Sequence, residues 1–131
     1  MIYPAISIMQ PWAYAIFHLG KDCENRSWKI PPQYVGRPVL VHAGKKLDTL
    51  GLEYLQWELG YALPADLPMG GIVGYVMFAP LSVDRSTSAW AASGQYHWPI
   101  ITSAARPFHP CQGRLGFFEV NYPHEIPRYA C

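Results

Sequence analysis

The chain has 131 residues, of which 50% are hydrophobic and 15% are charged, and this composition is typical of one globular domain with a sizeable core. The formal net charge of +1 argues against a protein whose whole surface binds duplex nucleic acid. No segment approaches the roughly 18 apolar residues of a membrane helix, and residues 1–10 lack the basic start of a secretory signal. We therefore expect a single cytoplasmic domain, residues 1–131, with no membrane partner.

The cysteines and histidines argue against a metal site. The three cysteines form no C-x-x-C pair, so we predict free thiols rather than a disulfide framework or a zinc site. These cysteines are Cys23, Cys111 and Cys131. The five histidines lack metal-ligand spacing, and no phosphate-loop or dinucleotide fingerprint is present. The sequence therefore predicts neither a metal nor a cofactor.

Two features of the composition point to a fold and to a surface. The 13 prolines, 11 glycines and 15% aromatic residues favour a turn-rich domain with short strands over a helix bundle. Residues 21–46 carry six Lys or Arg against two Asp or Glu, a balance of +4, whereas residues 47–66 carry four acids and no Lys or Arg. The basic segment is a candidate anion-binding face.

The first third of the chain predicts two strands around a helix. Residues 5–9 alternate well enough to form a short strand. In residues 11–19, which begin with a proline, apolar side chains recur at i, i+3, i+4 and i+7, which is typical of a helix. Gly20 follows in the place of a left-handed helix end, and residues 23–30 predict a second strand.

The middle of the chain predicts a strand, a second helix and a further strand. Residues 39–43 form a nearly continuous apolar run of strand type. Residues 47–59 have helical periodicity, and Gly60 is placed to end that helix. Residues 72–78 are rich in valine and aromatic side chains, which favours a strand.

The last third predicts a short helical turn at 88–93 and two strands at 96–103 and 115–121. Residues 107–113 between those strands are rich in proline and glycine and predict a loop. Because the strands do not alternate regularly with helices, we predict an α+β fold. Its core is a small barrel or curled sheet of five or six mostly antiparallel strands, with two helices packed outside.

The densest polar cluster lies between the first helix and the second strand. Alternation along that strand places Glu24, Arg26 and Trp28 on one face and Asn25 on the other. A lysine near a carboxylate, here Lys21, can serve as a base, and an arginine beside both can clamp a phosphate or carboxylate. The other interpretation is a solvated strand edge on which Glu24 and Arg26 pair, which is the commoner arrangement.

Five further side chains are candidates for ligand binding, each with a structural alternative. Gln10 stands before a helix without being a preferred cap, so its amide is free to read a ligand edge. Trp12 either stacks on a base or belongs to the apolar stripe of its helix. His42 is either a ligand contact or a satisfied half-buried histidine. Tyr96 and Trp98 lie two residues apart and form either an aromatic platform or a packing pair.

Taken together, five strings in order over residues 5–120 resemble the activating-signal-cointegrator homology (ASCH) domain. They are Ile6-Ser7-Ile8-Met9-Gln10-Pro11-Trp12-Ala13, Gly20-Lys21-x-x-Glu24-Asn25-Arg26-x-Trp28, Gly36-Arg37-Pro38-Val39-Leu40-Val41-His42-Ala43, Met69-Gly70-Gly71-Ile72-Val73-Gly74 and Trp98…Pro110…Gly113…Leu115-Gly116-Phe117-Phe118. The resemblance implies a PUA-like β-barrel with flanking helices and a cleft for RNA or nucleotide ligands.

Members of the ASCH family differ in activity, so the resemblance implies more than one function for this chain. Some are RNA-binding modules, some are reported as ribonucleases, and a compact bacterial branch removes acetyl from N4-acetylcytidine. In that branch the matching segment has a catalytic lysine and threonine, with a glutamate from a later strand. Lys21 matches the lysine, whereas Glu24 occupies the threonine position, and no acid follows Gly71 until Asp84.

Our leading expectation is a cleft that binds a nucleotide, a modified nucleoside or single-stranded RNA, with Lys21, Arg26 and Lys45 on phosphate and aromatic residues on the base. The predicted ligand-binding set is Gln10, Trp12, Asn25, Arg26, Trp28, His42, Lys45, Tyr96 and Trp98. The alternative is a hydrolase acting on RNA or a modified nucleoside, with Lys21 and Glu24 as its acid and base. A third interpretation is a protein-interaction domain with a vestigial polar cleft.

Overall fold

A six-stranded sheet organises the chain, and the computed structural model describes residues 1–127. The strands are β1 (Ile2–Gln10), β2 (Cys23–Arg26), β3 (Pro38–Leu47), β4 (Gly71–Phe78), β5 (Tyr96–Pro110) and β6 (Phe117–Asn121). The helices are α1 (Trp12–His18) and α2 (Thr49–Glu53), and α2 continues into a π-helical turn at Tyr54–Glu58. A 3₁₀ turn at Pro32–Tyr34 precedes β3.

The order of the strands is β2-β5-β4-β3-β1-β6, and the sheet curls into a half-barrel. Only β1 and β3 are parallel, with Ser7 opposite His42 in their register. The other four strand pairs are antiparallel. The predicted α+β fold, with six mostly antiparallel strands and two helices, is therefore confirmed.

An opening lies between β2, at one edge of the sheet, and the second half of β1, beyond the residues that pair with β6. Strand β2 is only four residues long and pairs with β5 alone, so it forms one edge of the sheet. Across the opening lies β1, and a side chain rather than a backbone ladder joins the two strands. The guanidinium Nη2 of Arg26 donates to the carbonyl oxygen of Ser7 at 2.7 Å. We call this opening between β1 and β2 the seam.

Trp98 lies at the centre of the larger of two apolar clusters. Its side chain is completely buried, and its indole N–H donates to the carbonyl oxygen of Trp28 at 2.9 Å. The ring of Phe117 stacks on it at 5.8 Å between centroids, and Phe78 meets it edge-on at 5.6 Å. Helix α1 packs its apolar side, including Ile16, into the same cluster. The second cluster includes the fully buried Tyr122 and side chains of β1, β3, β4 and β6.

Helix boundaries follow the sequence closely, whereas the winding of α2 does not. Gly20 and Gly60 both adopt left-handed backbone angles, with φ of +75° and +74°, and each follows the end of its helix as predicted. The segment predicted as one helix over 47–59 is α-helical only through Glu53 and π-helical from Tyr54 to Glu58. Gly51 faces the indole of Trp12 so closely that a Cβ there would lie 2.7 Å from the ring.

Several strand ends differ from the prediction. Strand β2 ends at Arg26 rather than at residue 30, and β3 continues beyond its predicted end to Leu47. Strand β5 runs to Pro110 through the segment predicted as a loop, because it keeps pairing with β4. Within residues 1–127, β2 is the strand that pairs with the other side of β5 and it covers only residues 96–99, so the later prolines interrupt no strand pairing there. Residues 88–93 form turns without a helix.

Within residues 1–127, no helix has the length and apolarity required to cross a bilayer.

Replacing Trp98 with alanine tests the assignment of this side chain to the core. We expect Trp98→Ala to lower the free energy of unfolding by about 3–5 kcal/mol, because it removes a fully packed aromatic ring. Trp57 is 82% exposed, so the matched variant Trp57→Ala should change stability by less than about 0.5 kcal/mol. Urea unfolding followed by circular dichroism measures both, and equal effects would contradict the assignment.

Candidate functional site

A cleft of about 700 Å³ occupies the seam between β1 and β2. Its lining includes five of the predicted site residues: Trp12, Lys21, Glu24, Asn25 and Arg26. The lining also includes two aromatic residues, Tyr54 and Trp90, and one acid, Asp48. We call this space the seam cleft.

Three charged side chains form an ion cluster inside the seam cleft. The Lys21 side chain is 4% exposed and that of Glu24 is 9% exposed. The Nζ atom of Lys21 lies 3.5 Å from Oε1 of Glu24, and Nη2 of Arg26 lies 2.9 Å from Oε2. The Nε atom of Arg26 donates to the same Oε2 at 3.0 Å, and Lys21 also donates to the carbonyl oxygen of Cys23.

Local folding explains how these three residues meet. The backbone N–H of Lys21 donates to the carbonyl oxygen of Ala15 at 3.1 Å, so the chain turns back at the end of α1 before entering β2. Glu24 and Arg26 then lie two residues apart on one face of β2, as alternation predicts. The pairing of Glu24 with Arg26 is thus present as foreseen, but within a cleft rather than on a solvated edge.

The charge balance of the seam cleft revises one expectation. Lys21 and Arg26 are matched by Glu24 and Asp48, so the formal charge of the lining is zero. Both cations of the ion cluster already contact Glu24, which weakens their attraction for a phosphate. The polar centre of this cleft suits an uncharged ligand with hydrogen-bonding edges better than an anion.

Aromatic rings form the walls of the seam cleft. Trp12 is half-buried, and its indole N–H donates to Oδ2 of Asp48 at 2.8 Å. Trp90 is also half-buried and is stacked against Tyr61 at 6.2 Å with an interplanar angle of 21°. The sequence analysis missed Trp90, although a lone tryptophan in a loop of small and polar residues is a usable signal of a binding surface.

Asn25 holds the loop that carries Trp90. Its Nδ2 donates to the carbonyl oxygen of Trp90 at 3.0 Å, and its Oδ1 accepts from the backbone N–H of Ala92 at 3.0 Å. Asp22 helps at the other end of the loop by accepting from the hydroxyl of Ser88. Asn25 lines the cleft, but its amide is committed to positioning the loop.

Gln10 does not present its amide to a ligand. It is 1% exposed, its Nε2 donates to the carbonyl oxygen of Pro68 at 3.0 Å, and its Oε1 accepts from the backbone N–H of Tyr14 at 2.9 Å. The amide therefore satisfies α1 and the segment before β4, and this geometry does not support the prediction that it reads a ligand edge.

The predicted aromatic platform does not form. Trp98 is fully buried and offers no face for stacking, because β5 carries it into the centre of the half-barrel. Tyr96 is 41% exposed but lies outside the seam cleft, beside the ammonium of Lys29. Trp28 packs edge-on against Trp98 at 4.7 Å and covers the core instead of lining the cleft. The predicted ligand roles of these three rings are not supported.

A second cleft, of about 900 Å³, lies on the other side of Ser7, and we call it the His42 cleft. His42 is 3% exposed: its Nε2 donates to the carbonyl oxygen of Cys111 at 2.8 Å, and its Nδ1 lies 3.1 Å from the Ser7 hydroxyl. Both ring nitrogens are therefore used internally. Lys45 and Arg114 also line this cleft, and both residues are exposed.

The described cysteines are free thiols with little reactivity. Burial raises the pKa of the Cys23 thiol and of the Cys111 thiol above the ordinary value. Both therefore stay protonated at neutral pH, and a protonated thiol is a poor nucleophile and metal ligand. Cys131 lies outside the described residues. Within residues 1–127, no three His, Cys, Asp or Glu side chains converge to hold a metal ion.

Comparison of the chain with protein-family models and with curated proteins finds no match.

Asp48, which lines the seam cleft, makes the free energy of unfolding depend on pH. Hydrogen bonds from the Trp12 indole and from the backbone N–H of Gly51 lower the pKa of Asp48. A lowered folded-state pKa means that the carboxylate stabilises the fold above the usual aspartate pKa and that this contribution is lost as the pH falls. Asp48→Ala should cost about 1 kcal/mol at pH 7, as for a lost helix cap, and less at pH 3.

Urea titrations of wild type and Asp48→Ala at both pH values measure this difference. Glu53→Ala also removes an acidic side chain, but from an exposed position of α2, and serves as the control. Its stability difference from wild type should not change comparably between pH 7 and pH 3. A stability difference that grows toward pH 3 would contradict the role given to Asp48.

Proposed function

We propose that the seam cleft binds a nucleoside, either free or within single-stranded RNA, and that the chain is a PUA-like domain of the ASCH type. The observation that supports this most directly is the buried Lys21–Glu24–Arg26 ion cluster between aromatic walls. The resemblance of residues 5–120 to ASCH domains supports it independently, because the ion cluster lies within one of the five matching strings.

Stability alone is a weak reason to keep such an ion cluster. Removing charges from water is costly, and a buried ion pair often adds nothing compared with well-packed apolar residues. Here the ion cluster lies in a cleft, and a cleft into which a few polar groups converge is the usual place of a binding or catalytic site. A role toward a ligand explains why Glu24 is retained between two cations.

Glu24 is suited to read the donor edge of a base. An ionised carboxylate has about four acceptor positions, and Arg26 and Lys21 occupy only part of them. The amino group of cytosine donates a hydrogen bond that a glutamate accepts, whereas uracil has a carbonyl oxygen at the same place. We therefore expect the cleft to favour cytidine over uridine.

The aromatic walls supply affinity that does not depend on charge. Stacking of a base on an aromatic side chain is worth about 1–3 kcal/mol, as judged by alanine substitution. Trp90 is half-buried and backed by Tyr61, so its ring is held in place for such a contact. In this proposal Glu24 provides selectivity and Trp90 provides much of the binding energy.

Calorimetric titration with cytidine and uridine tests the proposal. Wild type should bind cytidine more tightly, and Glu24→Gln should lower that preference about tenfold because the amide now also offers a donor. Trp90→Ala should weaken both ligands about tenfold, whereas Trp57→Ala, a tryptophan outside the cleft, should change neither. Should Glu24→Gln lose thermal stability with both affinities unchanged, Glu24 is only a structural partner of Arg26.

One distance also favours a second candidate, hydrolysis of an amide on a nucleobase. The Nζ atom of Lys21 is 3.5 Å from Oε1 of Glu24, close enough for a coupled acid and base. Glu24 takes a proton from water as the water oxygen bonds to the acyl carbon. The C–N bond breaks as the Lys21 ammonium gives a proton to the leaving nitrogen, and the proton on Glu24 then returns to Lys21.

Incubation with N4-acetylcytidine, followed by chromatography, tests this candidate. Release of cytidine and acetate is expected to fall at least about a hundredfold in Lys21→Ala, because a positioned acid contributes about that much. Lys46→Ala removes an exposed cation that lines neither cleft and should leave the rate unchanged. Binding of cytidine without any turnover by the native protein would contradict hydrolysis and keep the binding proposal.

A further inference from the structure

The two clefts meet at a single residue. Ser7 lines both of them. Its carbonyl oxygen accepts from Arg26 on the seam side, and its hydroxyl contacts His42 on the other side. One strand, β1, is therefore the ridge between two adjacent binding spaces, and a ligand longer than one nucleoside can reach across it.

The charges of the two clefts differ in a way that matches the parts of a nucleotide chain. The seam cleft is formally neutral, polar and aromatic, which suits a base. The His42 cleft is lined by Lys45 and Arg114 and by no acid. Within residues 1–127, neither of these cations forms an ion pair with a carboxylate, so both remain available to an anion.

Tightly packed glycines lie beside both cations of the His42 cleft. Gly113 packs so tightly that a Cβ there would lie 2.7 Å from the His42 ring and 2.8 Å from the Ser7 hydroxyl. Arg114 follows directly in the chain, so its backbone begins at this packed position. The side chain of Lys45 packs along Gly70. A Cβ added to Gly70 would lie 3.2 Å from the nearest side-chain carbon of Lys45.

We propose that the His42 cleft is a phosphate subsite, and that Lys45 and Arg114 bind the phosphodiester next to the nucleoside held in the seam cleft. The ligand is then single-stranded RNA of two nucleotides or more rather than a free nucleoside. This inference rests on the proposed function of the seam cleft. It moves phosphate binding away from Lys21 and Arg26, which already contact Glu24.

Calorimetry with cytidine and with the dinucleotide CpC, at 50 and 200 mM salt, tests the subsite. Wild type should bind CpC more tightly than cytidine, and only CpC binding should weaken as salt is added. The double variant Lys45→Ala/Arg114→Ala should lower CpC affinity about tenfold at 50 mM salt and leave cytidine affinity unchanged. Lys46→Ala, the neighbouring exposed cation outside both clefts, should change CpC affinity less than twofold.

The outcomes separate the two proposals. If cytidine binds but CpC binds no more tightly, or if the double variant keeps the full advantage of CpC, the phosphate subsite is wrong and the seam cleft stands. If neither ligand binds the native protein, both proposals fail. Since Lys45 and Arg114 are exposed, thermal unfolding of the double variant should match wild type and exclude misfolding as a cause.

Discussion

The hydrogen bonds of one guanidinium connect the fold of this protein to its chemistry. Strand β2 is too short to close the sheet against β1, and Arg26 bridges the gap by donating to Ser7 of one strand and Glu24 of the other. The same side chain lies 5.9 Å from the centre of the Trp98 ring, so it also borders the core. Without this arginine, Glu24 would lose its closest cation while remaining largely buried, an arrangement that is strongly destabilising. The open seam and the ion cluster therefore depend on one another.

Features set by local backbone and side-chain patterns could be predicted from the sequence. The apolar stripe of α1, the left-handed Gly20 and Gly60, and the strand character of β3 and β4 depend on neighbours within a few residues. The face shared by Glu24 and Arg26 followed from alternation alone. Five of the predicted site residues indeed line one cleft, because they are close in sequence or lie at the end of the adjoining strand.

Features set by distant pairing could not be predicted in this way. The sequence shows that Tyr96 and Trp98 share a strand face, but only the curvature of the sheet decides that Trp98 lies inside and Tyr96 outside. Strand β5 is long because it pairs with β4 as far as Pro110. On its other side, within residues 1–127, a strand pairs only with residues 96–99. Likewise, the cations of the basic segment 21–46 do not lie on one surface. Lys21 and Arg26 line the seam cleft, whereas Lys45 lines the His42 cleft.

The two hydrogen bonds of Asn25 have a thermodynamic consequence for recognition. Its amide fixes the backbone on both sides of Ala91 through one donated and one accepted hydrogen bond. A loop that is ordered before binding loses little conformational entropy when a ligand arrives, so more of the contact energy appears as affinity. For a ligand of the proposed kind, association would then be limited by diffusion and orientation more than by rearrangement of the loop.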